Sequence, residues 1–163
     1  MSQDHKDVTI GDSLYRIGLL KAADGSWIYS TFVKRYRAYQ ETQPAPIPLP
    51  SDAPPAPDVP VEAGLAMTAS FLTEQLSRTE LAEVQNICLS VCGKYSSATG
   101  NPVAMPILLS DGRFSSPDMA YDGPTVLELT KQSIAFNIAP FFPGAGSSGS
   151  TSPADLIAQS TQP

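Results

Sequence analysis

A chain of 163 residues with a formal net charge of −6 and an isoelectric point near 4.6 gains no general attraction to a phosphate backbone, which argues against non-specific nucleic-acid binding. Its 16 prolines and 11 glycines, with only 16% charged residues beside 42% hydrophobics, describe a chain that has material for a core but also stretches unlike ordinary folded domain. The polar residues 1–7 offer no secretory apolar region, no apolar run nears the ~18–20 residues that span a bilayer, and 2 cysteines make no disulfide scaffold; the expected compartment is the cytoplasm.

Val8-Thr9-Ile10 and Leu14-Tyr15-Arg16-Ile17 are β-favouring runs around Gly11-Asp12-Ser13, a hairpin signal. Leu19 and Leu20 follow as buried connectors. Asp24-Gly25-Ser26 can cap a helix that starts near Trp27. Ile28, Phe32, Tyr36 and Tyr39 recur on one face of that helix, with Trp27 and Val33 flanking it. Lys34, Arg35 and Arg37 stand toward its C-terminal end, where cations suit the helix dipole.

Residues 42–64 hold 8 of the 16 prolines: Pro44, Pro46, Pro48, Pro50, Pro54, Pro55, Pro57 and Pro60. Missing backbone donors and the extended bias before each proline predict a semi-rigid polyproline spacer. No basic residue flanks it, so a plain spacer is favoured over a ligand for an SH3-type domain.

After the spacer, Leu65, Ala69, Leu72 and Leu76 share a helical face, with Met67 and Phe71 beside it. Ser77-Arg78-Thr79-Glu80 fits a capping box. The helix it opens carries Leu81, Val84, Cys88, Val91 and Tyr95 on one stripe, with Gly93 as its stop. Residues 96–124 are turn-rich, with a short strand candidate at Met105 to Leu109. A second capping box at Thr125 to Glu128 opens a last helix to about Ile138, which Pro140 terminates. Residues 143–163 form a Gly/Ser tail with a short apolar patch from Ala154 to Ala158.

The expected fold is mainly α: a small helical domain with an N-terminal β-hairpin, a Pro-rich linker and a disordered Gly/Ser-rich C-terminal tail. The units are 7–41 (hairpin and first helix), 42–64 (linker), 65–142 (helical region) and 143–163 (flexible tail). Residues 7–41 are too short to be stable alone, so they must dock on 65–142 or on another protein.

Catalytic chemistry finds little purchase. The single histidine, His5, lies in a polar N-terminus and makes no credible base for a Ser or Cys nucleophile. Cys88 and Cys92 at i, i+4 lack the further ligands zinc needs and read as small core residues. Gly11, Gly18 and Gly25 form no nucleotide fingerprint. Glu74, Glu80 and Glu83 read as a solvated helix face. The expectation is a non-enzyme with no cofactor and no metal. The 13 aromatics gather at Trp27 to Tyr39, Phe114 to Tyr121 and Phe136 to Phe142. Adjacent Phe141 and Phe142 either fold back as a C-terminal lock or stand exposed as anchors for a partner.

The pattern Val8-Thr9-Ile10-Gly11-x-x-x-Tyr15-Arg16-Ile17, followed by an aromatic/aliphatic helix, resembles the tail assembly chaperones of long-tailed bacteriophages. Tyr121-Asp122-Gly123, Val126-x-x-Leu129 and Phe136-Asn137-x-x-Pro140-Phe141-Phe142 are similar to the C-terminal helix of that family. The resemblance covers about two-thirds of the chain, and the Pro-rich insertion departs from it. It implies a non-catalytic α-helical protein of the host cell cytoplasm, absent from the mature virion. Such a protein binds the tape measure protein and the major tail tube protein, keeps them soluble and promotes tube assembly. Self-association is compatible with this; nucleic acid and membrane are not expected partners. An acidic surface with apolar grooves suits that role. The candidate contacts are Trp27, Phe32, Phe141 and Phe142. The alternative is a structural tail-completion or head-tail connector component of the virion. A small nucleic-acid-binding regulator is a third class, against which the charge and the lack of a basic recognition helix argue.

Overall fold

The structure is a computed structural model and describes residues 4–42, 61–96 and 103–142. Strands β1 (His5–Ile10) and β2 (Ser13–Gly18) lead into the long helix α1 (Ala22–Thr42). Helices α2 (Val61–Gln75) and α3 (Arg78–Leu89) follow, then strands β3 (Cys92–Tyr95) and β4 (Ala104–Pro106). A 3-10 turn (Pro117–Tyr121), helix α4 (Gly123–Ile138) and a second 3-10 turn (Ala139–Phe141) complete the described chain. Both ends of the expected spacer 42–64 are helical: Thr42 closes α1 and α2 begins at Val61, so helix takes over as soon as the prolines end. The rest of it, 43–60, and the Gly/Ser tail 143–163 lie outside the described residues.

The hairpin stands as expected. Gly11 takes φ +59° in the two-residue turn, and Ile10 pairs with Ser13 across it. Positive φ is cheap for glycine and costly for a side chain, so the turn residue fixes the register. The expected hairpin is half of a four-stranded antiparallel sheet, in the order β1-β2-β3-β4. β2 pairs with β3 through Tyr15↔Lys94, Arg16↔Gly93 and Ile17↔Cys92. Residues on the two sides of the Pro-rich spacer thus share one sheet.

Four expectations need correction. Helix α1 starts at Ala22, five residues before Trp27, and so takes in Asp24-Gly25-Ser26. The stripe through Cys88, Val91 and Tyr95 is not one helix: α3 ends at Leu89 and Cys92–Tyr95 is a strand. Backbone pairing with both β2 and β4 outweighs the helical spacing there. The last helix is capped by Asp122, whose Oδ1 accepts the Thr125 N–H at 3.1 Å. Glu128 turns instead to Gln132, accepting its Nε2 at 2.9 Å. Leu19 is exposed, not buried. The first capping box is present in full: Ser77 Oγ accepts the Glu80 N–H, and Glu80 accepts the Ser77 N–H at 2.9 Å.

Two apolar clusters meet along α4. On one side Ile134 and Ile138 pack with Ile28 and Phe32 of α1, Leu65, Ala69 and Leu72 of α2, Val84 and Cys88 of α3, and Phe142. On the other, Leu129 packs with Tyr15, Ile17, Leu89, Cys92, Ile107 and Met119 beneath the sheet. Fully burying each such side chain contributes about 1.5–3 kcal/mol before entropy is subtracted. Asn137 crosses between the layers. Its Oδ1 accepts the Leu20 N–H at 2.7 Å and its Nδ2 donates to the Gly18 carbonyl at 3.2 Å.

Candidate partner-binding face

The four aromatics nominated from sequence separate into two kinds. Phe32 and Phe142 are core residues, 1% and 2% exposed. Phe32 sits edge-on to Phe71, and Phe142 edge-on to Tyr29. Neither can be a surface anchor without unfolding its surroundings. Phe141 is half-buried and stacks flat on Tyr29, with ring centroids 4.7 Å apart. The Phe141–Phe142 pair is therefore seated on α1. Trp27 is 36% exposed and lies on the solvent side of α1.

Because α1 is amphipathic, its core face is spoken for. Gly25, Ile28 and Phe32 are buried, and Tyr36 continues that stripe half-buried. The opposite side carries an open depression of about 430 Å³, lined by Tyr29, Ser30, Val33, Lys34, Arg37, Ala38 and Glu41. Tyr29 and Val33 supply apolar surface; Lys34 and Arg37 are exposed cations. Trp27 lies three and seven residues before Ser30 and Lys34, a spacing that puts it on the flank of the same face. From Tyr29 to Glu41 the face is about 18 Å long. Of the 10 Lys and Arg residues, Lys34, Arg35 and Arg37 fall within this one helical turn of an otherwise acidic protein.

Arg35 is committed elsewhere. Its guanidinium donates to the Glu80 carboxylate and ties α1 to the start of α3. The Ser77 backbone N–H, and then Arg35, hold the Glu80 carboxyl far below its usual range, at about 2. A second polar cluster lies on the solvent side of the sheet. Arg16 Nε donates to Asp7 at 2.9 Å, and the Tyr95 hydroxyl donates to Asp7 at 3.2 Å. Arg16 foremost keeps the Asp7 carboxyl below its ordinary value. These groups are surface-exposed and satisfy one another.

Cys88 and Cys92 are buried, and desolvation pushes both thiols up to about 12. The Cys92 thiol donates to the Cys88 carbonyl at 3.2 Å. Among the described residues no three His, Cys, Asp or Glu side chains gather as a metal site. Among them, too, no helix is long and apolar enough to cross a membrane.

Sequence reasoning missed the outward face of α1 as a unit, although its residues recur at helical spacing. They are mixed in polarity, so no apolar stripe announces them. Compared with protein-family models, with curated proteins and with solved structures, the chain matches none.

Proposed function

We propose that this protein is a non-catalytic tail assembly chaperone of a long-tailed bacteriophage, working in the host cytoplasm on tape measure and tail tube proteins. The observation that carries the reading is the outward face of α1, from Trp27 to Glu41, with apolar ground between exposed cations. Such a face suits an amphipathic client helix laid along it, apolar side down and acidic side chains toward Lys34 and Arg37. The family resemblance supports the choice of client. Its N-terminal motif lies on the β1–β2 hairpin, and its C-terminal motif lies on α4 and the turn that seats Phe141 on Tyr29.

The contacts assigned are Trp27 and Phe141, joined by Val33, Lys34 and Arg37; Phe32 and Phe142 act only by shaping the helix beneath. The test is co-expression with the tape measure and tube proteins. Wild-type protein should raise the soluble fraction of both. Trp27→Ala with Arg37→Glu should lower capture by about tenfold or more, since interface aromatics typically contribute 1–3 kcal/mol. Unchanged far-ultraviolet dichroism would show that the variant is folded. No effect of the wild-type protein on client solubility would reject the chaperone reading. Stoichiometric recovery of the protein in purified particles would favour the tail-completion or connector role instead.

A further inference from the structure

We propose that two copies of this chain pair through β1, antiparallel across a two-fold axis, joining their four-stranded sheets into one. The Gly18 N–H donates to the Val91 carbonyl at 2.8 Å, so the even-numbered residues of β2 turn their backbone groups toward β3. The odd-numbered Tyr15 and Ile17 turn theirs toward Val8 and Lys6 of β1. Asp7 and Thr9 are left with N–H and C=O groups directed out of the sheet, at its margin. Among the described residues no backbone group pairs with them. Proteins blunt such margins with short strands, proline, bulges or outward lysines. The opposite margin is blunted: β4 has 3 residues, and its Pro106 carries no N–H. β1 has 6 residues in unbroken register and no proline. Its one lysine, Lys6, turns toward α4, with Nζ 3.5 Å from Gln132 Oε1.

A second copy is the occupant because this edge is complementary to itself. With Val8 opposite Val8 on the axis, Asp7 of each copy faces Thr9 of the other, and each such pair exchanges both of its ladder hydrogen bonds. The Thr9 hydroxyl is then placed to donate to an Asp7 carboxylate that Arg16 already neutralises at 2.9 Å. Sliding one step along the ladder would set Asp7 directly against Asp7, a destabilising pair of like charges. Sliding the other way runs the ladder into the Gly11 turn. At each end Lys6 lies diagonal to Asp12 of the other copy, and Asp4 comes level with that same Asp12, so the flanking charges roughly offset. On the helix side Val8 and Ile10 are half-buried, whereas Tyr15 and Ile17 beside them on β2 are buried. A neighbouring strand gives them the cover that β2 already has. The inference uses the margin of the sheet and not α1, so it stands or falls apart from the client reading.

The experiment is sedimentation equilibrium with amide exchange on the full chain over a concentration series. A dimer should form as concentration rises. The Asp7 and Thr9 amides should become protected in step with it, while the Ala104 amide on the β4 margin stays unchanged. Because β4 is blunted, association should stop at two copies. Thr9→Glu sets a second carboxylate against Asp7 at two symmetric places and should raise the dissociation constant about fivefold or more. Thr9→Lys supplies the opposite charge and should bind at least as tightly as wild type. Thr9→Pro deletes an N–H that the single copy does not use, and should abolish the dimer with far-ultraviolet dichroism unchanged; if it fails to fold, the Glu and Lys variants decide. Any of four results would overturn the proposal: a monomer throughout, up to about 1 mM; a dimer whose protection maps to another surface such as α1; growth beyond two copies; or equal dimerisation of the Thr9→Glu and Thr9→Lys variants.

Discussion

Asn137 joins the hairpin exit to α4 through two backbone groups, the Leu20 N–H and the Gly18 carbonyl. Replacing it with Ala strands both partners in a poorly hydrated place. Each such orphan costs about 1–3 kcal/mol, so Asn137→Ala should lower unfolding free energy by about 2–4 kcal/mol in urea titration. A loss under 0.5 kcal/mol would mean that water takes over the bonds. Cys88 and Cys92 make a different expectation. Thiols held near 12 stay protonated at pH 8 and are shielded by packing. Alkylation by iodoacetamide should therefore wait on unfolding. Rapid labelling of the native protein would contradict their burial. Cys88→Ala should cost about 1–2 kcal/mol, as expected for a small core truncation.

At the level of elements, the start of α3 is a pH-sensitive joint. The Glu80 carboxyl has an ordinary value of 4.5 and is lowered to about 2 in the fold. A lowered carboxyl stabilises the fold above its unfolded value and loses that contribution as pH falls toward the folded one. Stability should therefore decline between about pH 4.5 and 2, and Glu80→Gln should flatten that part of the profile. An unchanged acid limb in the Gln variant would show that other carboxylates dominate. The strand pair β3–β4 depends on closeness instead. A Cβ at Gly93 would stand 3.0 Å from the Ala104 Cβ and 3.2 Å from the Met105 carbonyl. Gly93→Val should split β4 from the sheet, seen as faster amide exchange at Met105. These elements also mark what local sequence can tell. The Ser77 box and the Gly11 turn are written in neighbouring residues, and both were legible. β3 was not, because its evidence lies in partners about 75 residues back in the chain: Ile17 faces Cys92. A helical stripe that runs on past Leu89 cannot reveal a competing sheet. The outward face of α1 was only partly legible. Trp27 was singled out from its type, whereas Phe32 and Phe142, equally aromatic, went to the core because only packing decides between inside and outside.

For the whole molecule, α4 is the shared spine. Its Leu129 side receives the sheet and its Ile134 and Ile138 side receives α1, α2 and α3. Damage along α4 should therefore be felt in both layers. Ile134→Ala is expected to cost about 2–5 kcal/mol and to remove both clusters in a single cooperative transition followed by fluorescence and dichroism together. Separate transitions would mean that the two layers are independent folding units. Mainly helical architecture with a sheet at one side is thus expected to unfold as one cooperative body. Of the 10 Lys and Arg residues, 3 lie on α1 and the other 7 are spread along the chain; with Arg35 paired to Glu80, Lys34 and Arg37 are the exposed cations of that helix.

The β2–β3 pairing has a practical consequence. It joins a strand before residues 43–60 to one after them, and Arg35–Glu80 and the α1–α4 packing span the same interval. Covalent continuity through that interval is then unnecessary for holding the two portions together. The gene could be divided there, and the two polypeptides, expressed as separate pieces, should find each other and rebuild the native assembly by complementation. The same site should accept a foreign domain as a passenger, leaving the host fold to close around its ends.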